Sequence, residues 1–356
     1  MIKVVMLLKR IKMKDKIVIN HLLPGMYRGG VEVGIKKSYK DINKNFNYKV
    51  FYIKRRGIIN VNQKSFFLSF FKIISNKTKP SIIITSLWWS HFFGYFLRVF
   101  GFKWIVFIHS PKFSSYFDKI FTHFALNKSS YFFFDSTSSH SVFKNKIKGK
   151  SFIIPYNFDD SQLGTKLNLF PKYDFSWIGR NSKEKRLDLL FNFFEKLETK
   201  KIKINALLVL SGKKLKRFEA FSKNFKYVNI EYIYNIDSSK ANAFLSESKI
   251  NLCFSDYEGF SSTSFEAIKR GNIIASRCVG EIPFYTASKS RVFLEDLDEK
   301  NFDNFVNRII DLLDNQDLLN KMRDESRKYL SMLYRGKLYS KTFIESIKSI
   351  LNENIK

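Results

Sequence analysis

Short apolar runs alternate with longer amphipathic segments along the whole chain, and this alternation constrains the fold more than any other feature of the sequence. Strands that are joined by helices form parallel sheets with helices on both faces. Two such series are visible, so we predict an α/β protein with two parallel sheets. The predicted strands are Ile17–Leu23, Tyr48–Tyr52, Ile82–Ile84, Trp104–Ile108, Tyr131–Phe134 and Phe152–Ile154 in the first series, and Tyr173–Ile178, Ile204–Leu210, Val228–Ile230, Ile250–Phe254 and Ile273–Ser276 in the second.

The polar stretch Asn157–Pro171 lies between the two series and marks the predicted domain boundary. A chain of 356 residues exceeds what one hydrophobic core usually serves, so length alone also favours two domains. We predict a first domain over residues 1–160 and a second over 170–336, both Rossmann-like and facing a cleft. A last helix of about 337–356 is expected to pack back on the first domain.

The positive charge of the chain is unevenly distributed. The formal net charge is +30, and residues 1–150 carry 28 Lys and Arg against 5 Asp and Glu, whereas residues 151–356 carry 34 against 27. A Lys-rich coding bias alone would load both halves alike. The first half is therefore expected to meet an anionic partner, either nucleic acid or an anionic membrane surface.

One predicted helix of the first half has a composition that suits membrane contact. An amphipathic helix with lysines beside an apolar face can lie on anionic lipid, and the alternative is that the apolar residues pack in the core. The residues concerned are Phe66, Phe67, Phe70, Phe71 and Ile74, with Lys64, Lys72 and Lys77 nearby.

The cysteines and the longest uncharged run indicate a cytoplasmic protein. Cys253 and Cys278 form no C-x-x-C pair and both lie in apolar, strand-like runs, so we predict two small core residues in a reducing compartment. No signal peptide is apparent near the first residues. The run Pro80–Leu97 is broken by polar residues, which predicts a strand followed by a helix instead of a membrane span.

The segment Asn251–Pro283 carries the most chemical information. It predicts a buried strand, a turn at Gly259, a helix from about Ser262, and then another strand. In an open parallel sheet, a helix that starts at the carboxyl end of a strand lies where ligands bind, and its free N–H groups can hold a diphosphate. The N–H groups concerned are those of Ser262, Thr263 and Ser264.

Two glutamates flank this predicted phosphate cradle. Glu258 and Glu266 are eight residues apart, and carboxylates at such positions can orient the hydroxyl groups of ribose and sugar through charge-assisted hydrogen bonds. Thr263-x-x-Glu266 also fits a capping box, which would explain Glu266 without a ligand. Glu258 could likewise be a solvated loop acid.

The run EGFSSTSFEA, from Glu258 to Ala267, resembles the Glu-x7-Glu motif of retaining GT-B glycosyltransferases, especially family 4, whose usual form is EGFG-x4-EAMA-x-G. The resemblance implies that Glu258 and Gly259 face the donor sugar. It also implies that Glu266 binds the ribose hydroxyls and that the amides of 262–264 face the diphosphate. The second glycine of the motif is Ser261 in this chain, which is a departure from the pattern.

The segment SWIGRNSKEKRLDLL, which starts at Ser176, is similar to the family's G-R-x4-K-G segment. Two cations after a strand can stabilise a departing diphosphate, and the resemblance gives this role to Arg180 and Lys185. The alternative is a solvated helix start. The family's glycine after the lysine is Arg186 here.

Two further matches lie in the first half of the chain. A Gly-Gly loop at Gly29 and Gly30 follows the first predicted strand, and glycines allow a backbone to approach a phosphate or sugar closely. His109 ends the run WIVFIHS, which resembles the family's strand whose terminal histidine lies near the donor sugar. The alternatives are a plain loop and a structural histidine, and we interpret His91 as structural.

Other chemistry finds little support in the sequence. Asp296-x-Asp298 has the form of a metal-binding Asp-x-Asp motif, but it precedes a predicted helix at Asn301, where acids favour the helix dipole. No His and Cys spacing typical of a metal site is visible, and no helix-turn-helix or zinc finger. We therefore predict no metal, no cofactor and no nucleic-acid partner.

The resemblance implies retaining, metal-independent hexosyl transfer from a nucleotide sugar, with a UDP-sugar favoured over a GDP-sugar. The expected acceptor is a glycan or a lipid-linked molecule in bacterial lipopolysaccharide, capsule or other cell-surface polysaccharide synthesis. We expect the protein to be cytoplasmic, with peripheral contact to the inner face of the cytoplasmic membrane. The alternatives are a basic nucleic-acid-binding protein and a non-catalytic, sugar-binding GT-B domain.

Overall fold

The structure, a computed structural model, describes residues 17–25, 30–54, 66–75, 81–154, 167–334 and 339–353. The chain divides into two compact units: the first unit is Met1–Phe158 with Lys337–Lys356, and the second unit is Asp159–Gly336. No helix within the described ranges is long and apolar enough to cross a membrane.

The first unit contains a six-stranded, fully parallel sheet in the order β2-β1-β3-β4-β5-β6. Its strands are β1 (Val18–Gly25), β2 (Asn47–Lys54), β3 (Ser81–Ser86), β4 (Lys103–Ile108), β5 (Tyr131–Phe134) and β6 (Lys150–Ile153). Its helices are α1 (Gly30–Asn45), α2 (Phe66–Ser75), α3 (Trp88–Val99), α4 (Tyr116–Lys128) and α5 (Thr137–Phe143), together with α13 (Tyr339–Asn352) from the end of the chain.

The central strands of this sheet are buried on both faces. β3 and β5 have continuous apolar runs instead of alternating ones, which is typical of parallel strands covered by helices on both sides. One face packs against α13, whose residues Phe343, Ile347 and Ile350 share one side of the helix and are buried. Lys103 Nζ donates to the carbonyl of Ile350 over 2.8 Å and so fixes the end of that helix.

The second unit repeats this architecture, with the strand order β12-β11-β10-β7-β8-β9 and parallel pairing throughout. Its strands are β7 (Tyr173–Arg180), β8 (Ile204–Ser211), β9 (Val228–Tyr234), β10 (Ser248–Cys253), β11 (Ile273–Arg277) and β12 (Arg291–Leu294). Its helices are α6 (Leu187–Thr199), α7 (Lys216–Ser222), α8 (Ser238–Phe244), α9 (Ser262–Lys269), α10 (Ile282–Tyr285), α11 (Glu299–Asp314) and α12 (Gln316–Tyr334).

These two sheets confirm the predicted α/β class with two Rossmann-like parts. The interpretation of the cysteines is correct for one of them only. Cys253 is buried at the end of β10, but Cys278 is exposed, because β11 ends at Arg277 and the chain turns there. The apolar run that contains Cys278 is therefore longer than the strand that it forms.

Candidate functional site

The predicted phosphate-binding residues lie at one edge of the second sheet. β7 and β10 are neighbouring parallel strands, with Ser176 beside Asn251, so both strands end at the same edge. The loop 181–186 follows β7, and the loop 254–261 leads from β10 into α9. The two motifs that the sequence singles out are thus brought together at the carboxyl ends of their strands, which is where open α/β sheets bind ligands.

An ion pair between Lys185 and Glu258 joins the two loops. Lys185 Nζ lies 2.6 Å from Glu258 Oε1, and the Ser255 hydroxyl donates to the same oxygen over 2.6 Å. Burial by itself lowers the pKa of Lys185, but the adjacent Glu258 carboxylate outweighs this effect, and the pKa of Lys185 is raised. Lys185 is therefore a cation at neutral pH, and its position is fixed by its partner.

The first turn of α9 lies against this pair. Helix α9 begins at Ser262, and the N–H groups in the first turn of a helix have no acceptor within the helix and carry its positive dipole end. Together with Lys185 and Glu258, residues 262–264 line a cavity of about 60 Å³. Lys185, its partner Glu258 and the first turn of α9 thus border the same small space, and a lysine beside a helix N-terminus suits an anion with several oxygens.

The two residues that stand where the family pattern has glycine adopt left-handed backbone conformations. Arg186 has φ 49° and Ser261 has φ 55°, and both lie in the left-handed region that glycine adopts without strain. For other residues this conformation costs about 1–2 kcal/mol. Both positions thus have a backbone conformation that glycine would adopt more easily than the residues present.

Side-chain contacts hold Arg186 in this conformation. Its guanidinium pairs with Asp188 at 2.7 Å and with Asp256 at 3.0 Å, and Asp256 also pairs with Arg277. The Asp256 N–H donates to the carbonyl of Glu184 over 2.8 Å, so a backbone bond crosses between the same two loops. The loops that position Lys185 and Glu258 are therefore tied together by charge and by backbone.

Glu266 and Arg180 are positioned differently from the other predicted site residues. Glu266 is buried, and its Oε2 lies 2.5 Å from Arg270 Nη1 and 3.7 Å from Lys269 Nζ, toward the far end of α9. Arg180 is mostly exposed and lies 3.6 Å from Glu184. Neither of them lines the cavity.

The capping-box interpretation of Thr263-x-x-Glu266 is wrong. The N-cap of α9 is Ser261, one position before the helix starts, so Thr263 lies inside the first turn. Since Glu266 pairs with Arg270, its carboxylate serves the other end of the helix. Gly259 accepts a backbone hydrogen bond from the N–H of Glu281 over 3.0 Å, which holds the turn before the helix.

Several residues of this site were not predicted from the sequence. Ser255 anchors Glu258, and Trp177 and Asn251 line the cavity beside it. Asn251 donates to the Ser176 carbonyl over 3.2 Å, while its buried Oδ1 has no hydrogen-bond partner within the described residues. An asparagine inside an otherwise apolar strand is the signal that could have indicated it, since buried amides need partners.

The predicted sugar contacts of the first half belong to the first unit. Gly29 lies outside the described residues, and Gly30 begins α1. His109 follows β4, with Nε2 2.9 Å from Ser86 Oγ and Nδ1 3.8 Å from Asp135 Oδ2. Both ring nitrogens thus face protein groups, and a sugar hydroxyl would have to replace one of these partners.

His109 is the end of a buried chain of polar groups. Ser86 Oγ also lies 2.7 Å from His21 Nε2, and His21 Nδ1 lies 2.7 Å from the Tyr48 hydroxyl. Burial lowers the pKa of His21 to about 3, with a further contribution from His109, and burial raises the pKa of Tyr48. With Tyr48 as donor, the chain runs through His21 and Ser86 to His109 Nε2, which leaves the His109 proton on Nδ1, facing Asp135.

Two residues that we interpreted as structural have structural roles. His91 is buried, its Nδ1 lies 3.0 Å from Thr85 Oγ1, and burial lowers its pKa to about 3. Asp298 caps α11 by accepting from the N–H of Asn301 over 2.9 Å. Within the described part of the chain, no group of three or more His, Cys, Asp and Glu side chains could hold a metal ion.

Each unit has a six-stranded parallel sheet with flanking helices, and these two Rossmann-like parts match the GT-B fold of the solved structures below. Residues 168–329, which lie in the second unit, match the family described as glycosyl transferases group 1. No curated protein sequence matches the chain. The assignment to family 4 stays a prediction.

Solved structures that share the fold cover nearly the whole chain. The sucrose-phosphate synthase from Thermosynechococcus elongatus has a TM-score of 0.68 at 14% identity, covering 95% of this chain and 99% of its own. Anabaena Alr3699/HepE in complex with UDP and glucose has a TM-score of 0.71 at 14% identity, covering 94% and 99%. The structure described as trehalose-6-phosphate from E. coli bound with UDP-2-fluoro glucose has a TM-score of 0.67 at 12% identity, covering 94% and 98%.

Proposed function

We propose that this chain transfers a hexose from a nucleotide diphosphate sugar to a glycan or lipid-linked acceptor, with retention of configuration and without a metal ion. The observation that carries the proposal is the convergence of Lys185, Glu258 and the first turn of α9 on one cavity. The match of residues 168–329 to glycosyl transferases group 1 supports it.

The chemical step breaks the bond between the anomeric carbon and the diphosphate oxygen, and the electron pair leaves with the diphosphate. Lys185 and the N–H groups of residues 262–264 would stabilise the negative charge that develops there. The acceptor oxygen forms the new bond on the same face of the sugar, and its proton passes to the departing phosphate. No metal is required in this scheme, because fixed donors supply the positive charge.

The two glutamates have separate roles in this proposal. Glu258 orients the donor sugar and keeps Lys185 in place, since it is paired with it directly. Glu266 orients the ribose hydroxyls, with its charge balanced by Arg270 and Lys269. Arg180, His109 and the glycines Gly29 and Gly30 complete the predicted donor contacts.

We further propose UDP as the nucleotide and cell-surface polysaccharide or lipopolysaccharide synthesis as the setting. Support for the nucleotide comes from Anabaena Alr3699/HepE and from the E. coli structure, which were solved with UDP and with UDP-2-fluoro glucose. Support for a lipid-linked or glycan acceptor comes from the basic first half of the chain, because such acceptors carry or adjoin anionic groups.

Thermal unfolding of the purified protein with UDP, GDP, ADP or CMP, each with and without EDTA, tests the proposal. We expect a rise in melting temperature with UDP that EDTA does not change. A shift that EDTA removes would contradict the metal-independent scheme. If no nucleotide shifts the melting temperature and DNA or RNA binds tightly at low salt, the chain is a nucleic-acid-binding protein instead.

A further inference from the structure

The central strands of the second sheet have two unlike faces. Successive side chains of a strand point to opposite faces, and on one face β7, β10 and β11 contribute Phe175, Leu252 and Ala275 to the hydrophobic core. The opposite face packs against α9 and carries four buried side chains with hydrogen-bonding groups. We name these residues the polar row, and they are Ser176 on β7, Asn251 and Cys253 on β10, and Ser276 on β11.

Two atoms of the polar row, Asn251 Oδ1 and Ser276 Oγ, have no hydrogen-bond partner within the described residues. Asn251 is 1% exposed, and its Nδ2 donates to the Ser176 carbonyl over 3.2 Å. The amide cannot be turned round, because Oδ1 would then meet that carbonyl, acceptor against acceptor. Since buried amide oxygens are nearly always hydrogen-bonded, Asn251 Oδ1 requires a donor that the described part of the chain does not supply.

The cavity beside Asn251 has room for such a donor. Asn251 lines the same cavity as Lys185, Glu258 and residues 262–264. Its volume of about 60 Å³ exceeds the roughly 10–15 Å³ that one water molecule needs. The lining combines N–H and O–H donors with carboxylate and amide acceptors, so a small polar molecule can form several hydrogen bonds there.

The chemistry of this cavity favours water as the donor. The oxygens of a diphosphate only accept hydrogen bonds at neutral pH, so a bound diphosphate cannot contact Asn251 Oδ1 directly. A sugar hydroxyl has a single hydrogen and can donate to Oδ1 or to the phosphate, but not to both. A water molecule has two hydrogens and can donate to both at once.

We propose that Asn251 holds a water molecule that donates one hydrogen to Oδ1 and the other to the bound diphosphate. Asn251 is then a positioning residue, because it acts on the anion through the water. With Oδ1 as a fixed acceptor, the second hydrogen is directed to the anion, and the lone pairs of the water can accept from the N–H groups of residues 262–264. This inference rests on the proposed binding of a nucleotide diphosphate sugar and adds a donor to that site.

Calorimetric titration of the whole protein with inorganic pyrophosphate tests the proposal. Asn251→Leu keeps a side chain branched at Cγ but removes the amide, so the water loses its acceptor. We expect the Kd for pyrophosphate to rise by about fivefold to tenfold, since one hydrogen bond to a charged group is lost. Pyrophosphate carries no hydroxyl, so this loss cannot come from a sugar contact.

Asn272→Leu is the matched control. Asn272 is also fully buried, its Nδ2 donates to the Leu245 carbonyl over 2.6 Å, and its Oδ1 likewise has no partner within the described residues. Asn272 does not line the cavity, so this substitution should leave the Kd for pyrophosphate unchanged. An equal loss in both variants would assign the effect to the packing of α9 and overturn the proposal.

A crystal structure of the wild-type protein with pyrophosphate tests the same point without any variant. We expect a water molecule within about 3.2 Å of both Asn251 Oδ1 and a phosphate oxygen. A protein donor on Oδ1 in that complex would contradict the proposal. This measurement holds even where Asn251→Leu does not fold.

The remaining outcomes separate this inference from the proposed function. If the wild-type protein binds pyrophosphate and UDP, and Asn251→Leu binds them equally well, the water is wrong and sugar transfer stands. If Asn251→Leu weakens UDP-glucose but not pyrophosphate, the donor is a sugar hydroxyl and the water is again wrong. If the wild-type protein binds neither pyrophosphate nor UDP, the proposed function fails together with the inference.

Discussion

The ion pair at the edge of the second sheet and the histidine chain of the first unit are both polar centres at strand ends. The first contains a charged lysine, whereas the second contains a histidine that burial keeps neutral. Lys185 is a cation, because the Glu258 carboxylate 2.6 Å away raises its pKa despite burial. His21 is neutral, because burial makes its protonation unfavourable. The first centre borders a cavity, whereas His21 and Ser86 are fully buried.

Because of this difference, the centre at Lys185 can bind an anion, whereas the centre at His21 forms hydrogen bonds only within the protein. A preformed cation beside free N–H groups lowers the free energy of an incoming diphosphate without rearrangement. A neutral His21 offers no charge to a ligand, and its two ring nitrogens bond Tyr48 and Ser86 inside the fold instead.

Loss of the cation should have the largest effect. Lys185→Ala is expected to lower the rate of sugar transfer by about 10²–10³-fold, because it removes the fixed positive charge that would stabilise the departing diphosphate. The matched control is Lys183→Ala in the same turn, whose side chain is exposed. Steady-state kinetics with circular dichroism as a fold check measures both. Equal rates for Lys185→Ala and wild type would remove Lys185 from the site.

Glu266 tests whether a carboxylate turned toward the end of α9 still serves the donor. Glu266→Ala should lower transfer by about tenfold or more and should abolish the UDP-dependent rise in melting temperature. Arg270→Ala breaks the same ion pair but keeps the carboxylate, so it should retain the UDP effect. If both variants lose the effect equally, Glu266 acts only through its pairing with Arg270.

The buried histidines should make the first unit sensitive to acid. The pKa values of His21 and His91 are lowered from 6.5 to about 3 in the folded chain, so the unfolded state binds more protons below pH 6.5. Stability is therefore complete above pH 6.5 and is lost as the pH falls toward 3, by about 1.4 kcal/mol per pH unit for each histidine.

Denaturant unfolding at a series of pH values between 7 and 4 measures this dependence. The slope of the unfolding free energy against pH should correspond to about one proton taken up on unfolding per buried histidine. We expect His91→Gln to have a shallower decline than wild type, whatever its absolute stability. His140→Gln serves as the control, because that ring is only partly buried. A slope unchanged by His91→Gln would show that His91 does not stay neutral in the folded protein.

The sequence predicted most strands of the two sheets correctly, because strands depend on local apolar pattern. Apolar runs specify β7 and β10, and their parallel pairing then brings Lys185 to Glu258. The short strand β12 was missed, since it has only four residues and starts with an arginine. The prediction of a capping box was wrong for a similar reason, because a Thr-x-x-Glu spacing does not specify where the helix begins.

The surroundings of His109 could not be predicted from local pattern. Its partners Ser86 and Asp135 come from two other strand ends, and each residue looks ordinary in its own segment. The exposure of Phe92 and Phe96 on α3 is equally non-local, because an apolar helix face predicts burial unless the neighbouring elements are known. Local pattern therefore indicated the two loops that meet at Lys185 and Glu258, but not these non-local contacts and exposures.

The smallest expected effect concerns the backbone that presents the N–H groups of α9. Ser261→Gly removes the strain of φ 55°, worth about 1–2 kcal/mol, but it also loses the 3.1 Å hydrogen bond to Ser264 and adds freedom to the unfolded chain. These effects oppose one another, so the free energy of unfolding should change by less than about 1 kcal/mol. Since the N–H groups keep their positions, the UDP-dependent rise in melting temperature should persist.

Ser261→Val provides the contrast, because a β-branched side chain fits the left-handed region poorly and should lower the free energy of unfolding by about 2 kcal/mol. Urea unfolding of the three proteins measures the differences. If glycine destabilises the protein as much as valine does, the Ser261 hydroxyl is what the loop requires. If glycine is neutral and valine is not, the left-handed backbone is the requirement, and a serine at the position of the family's glycine is compatible with an intact anion site.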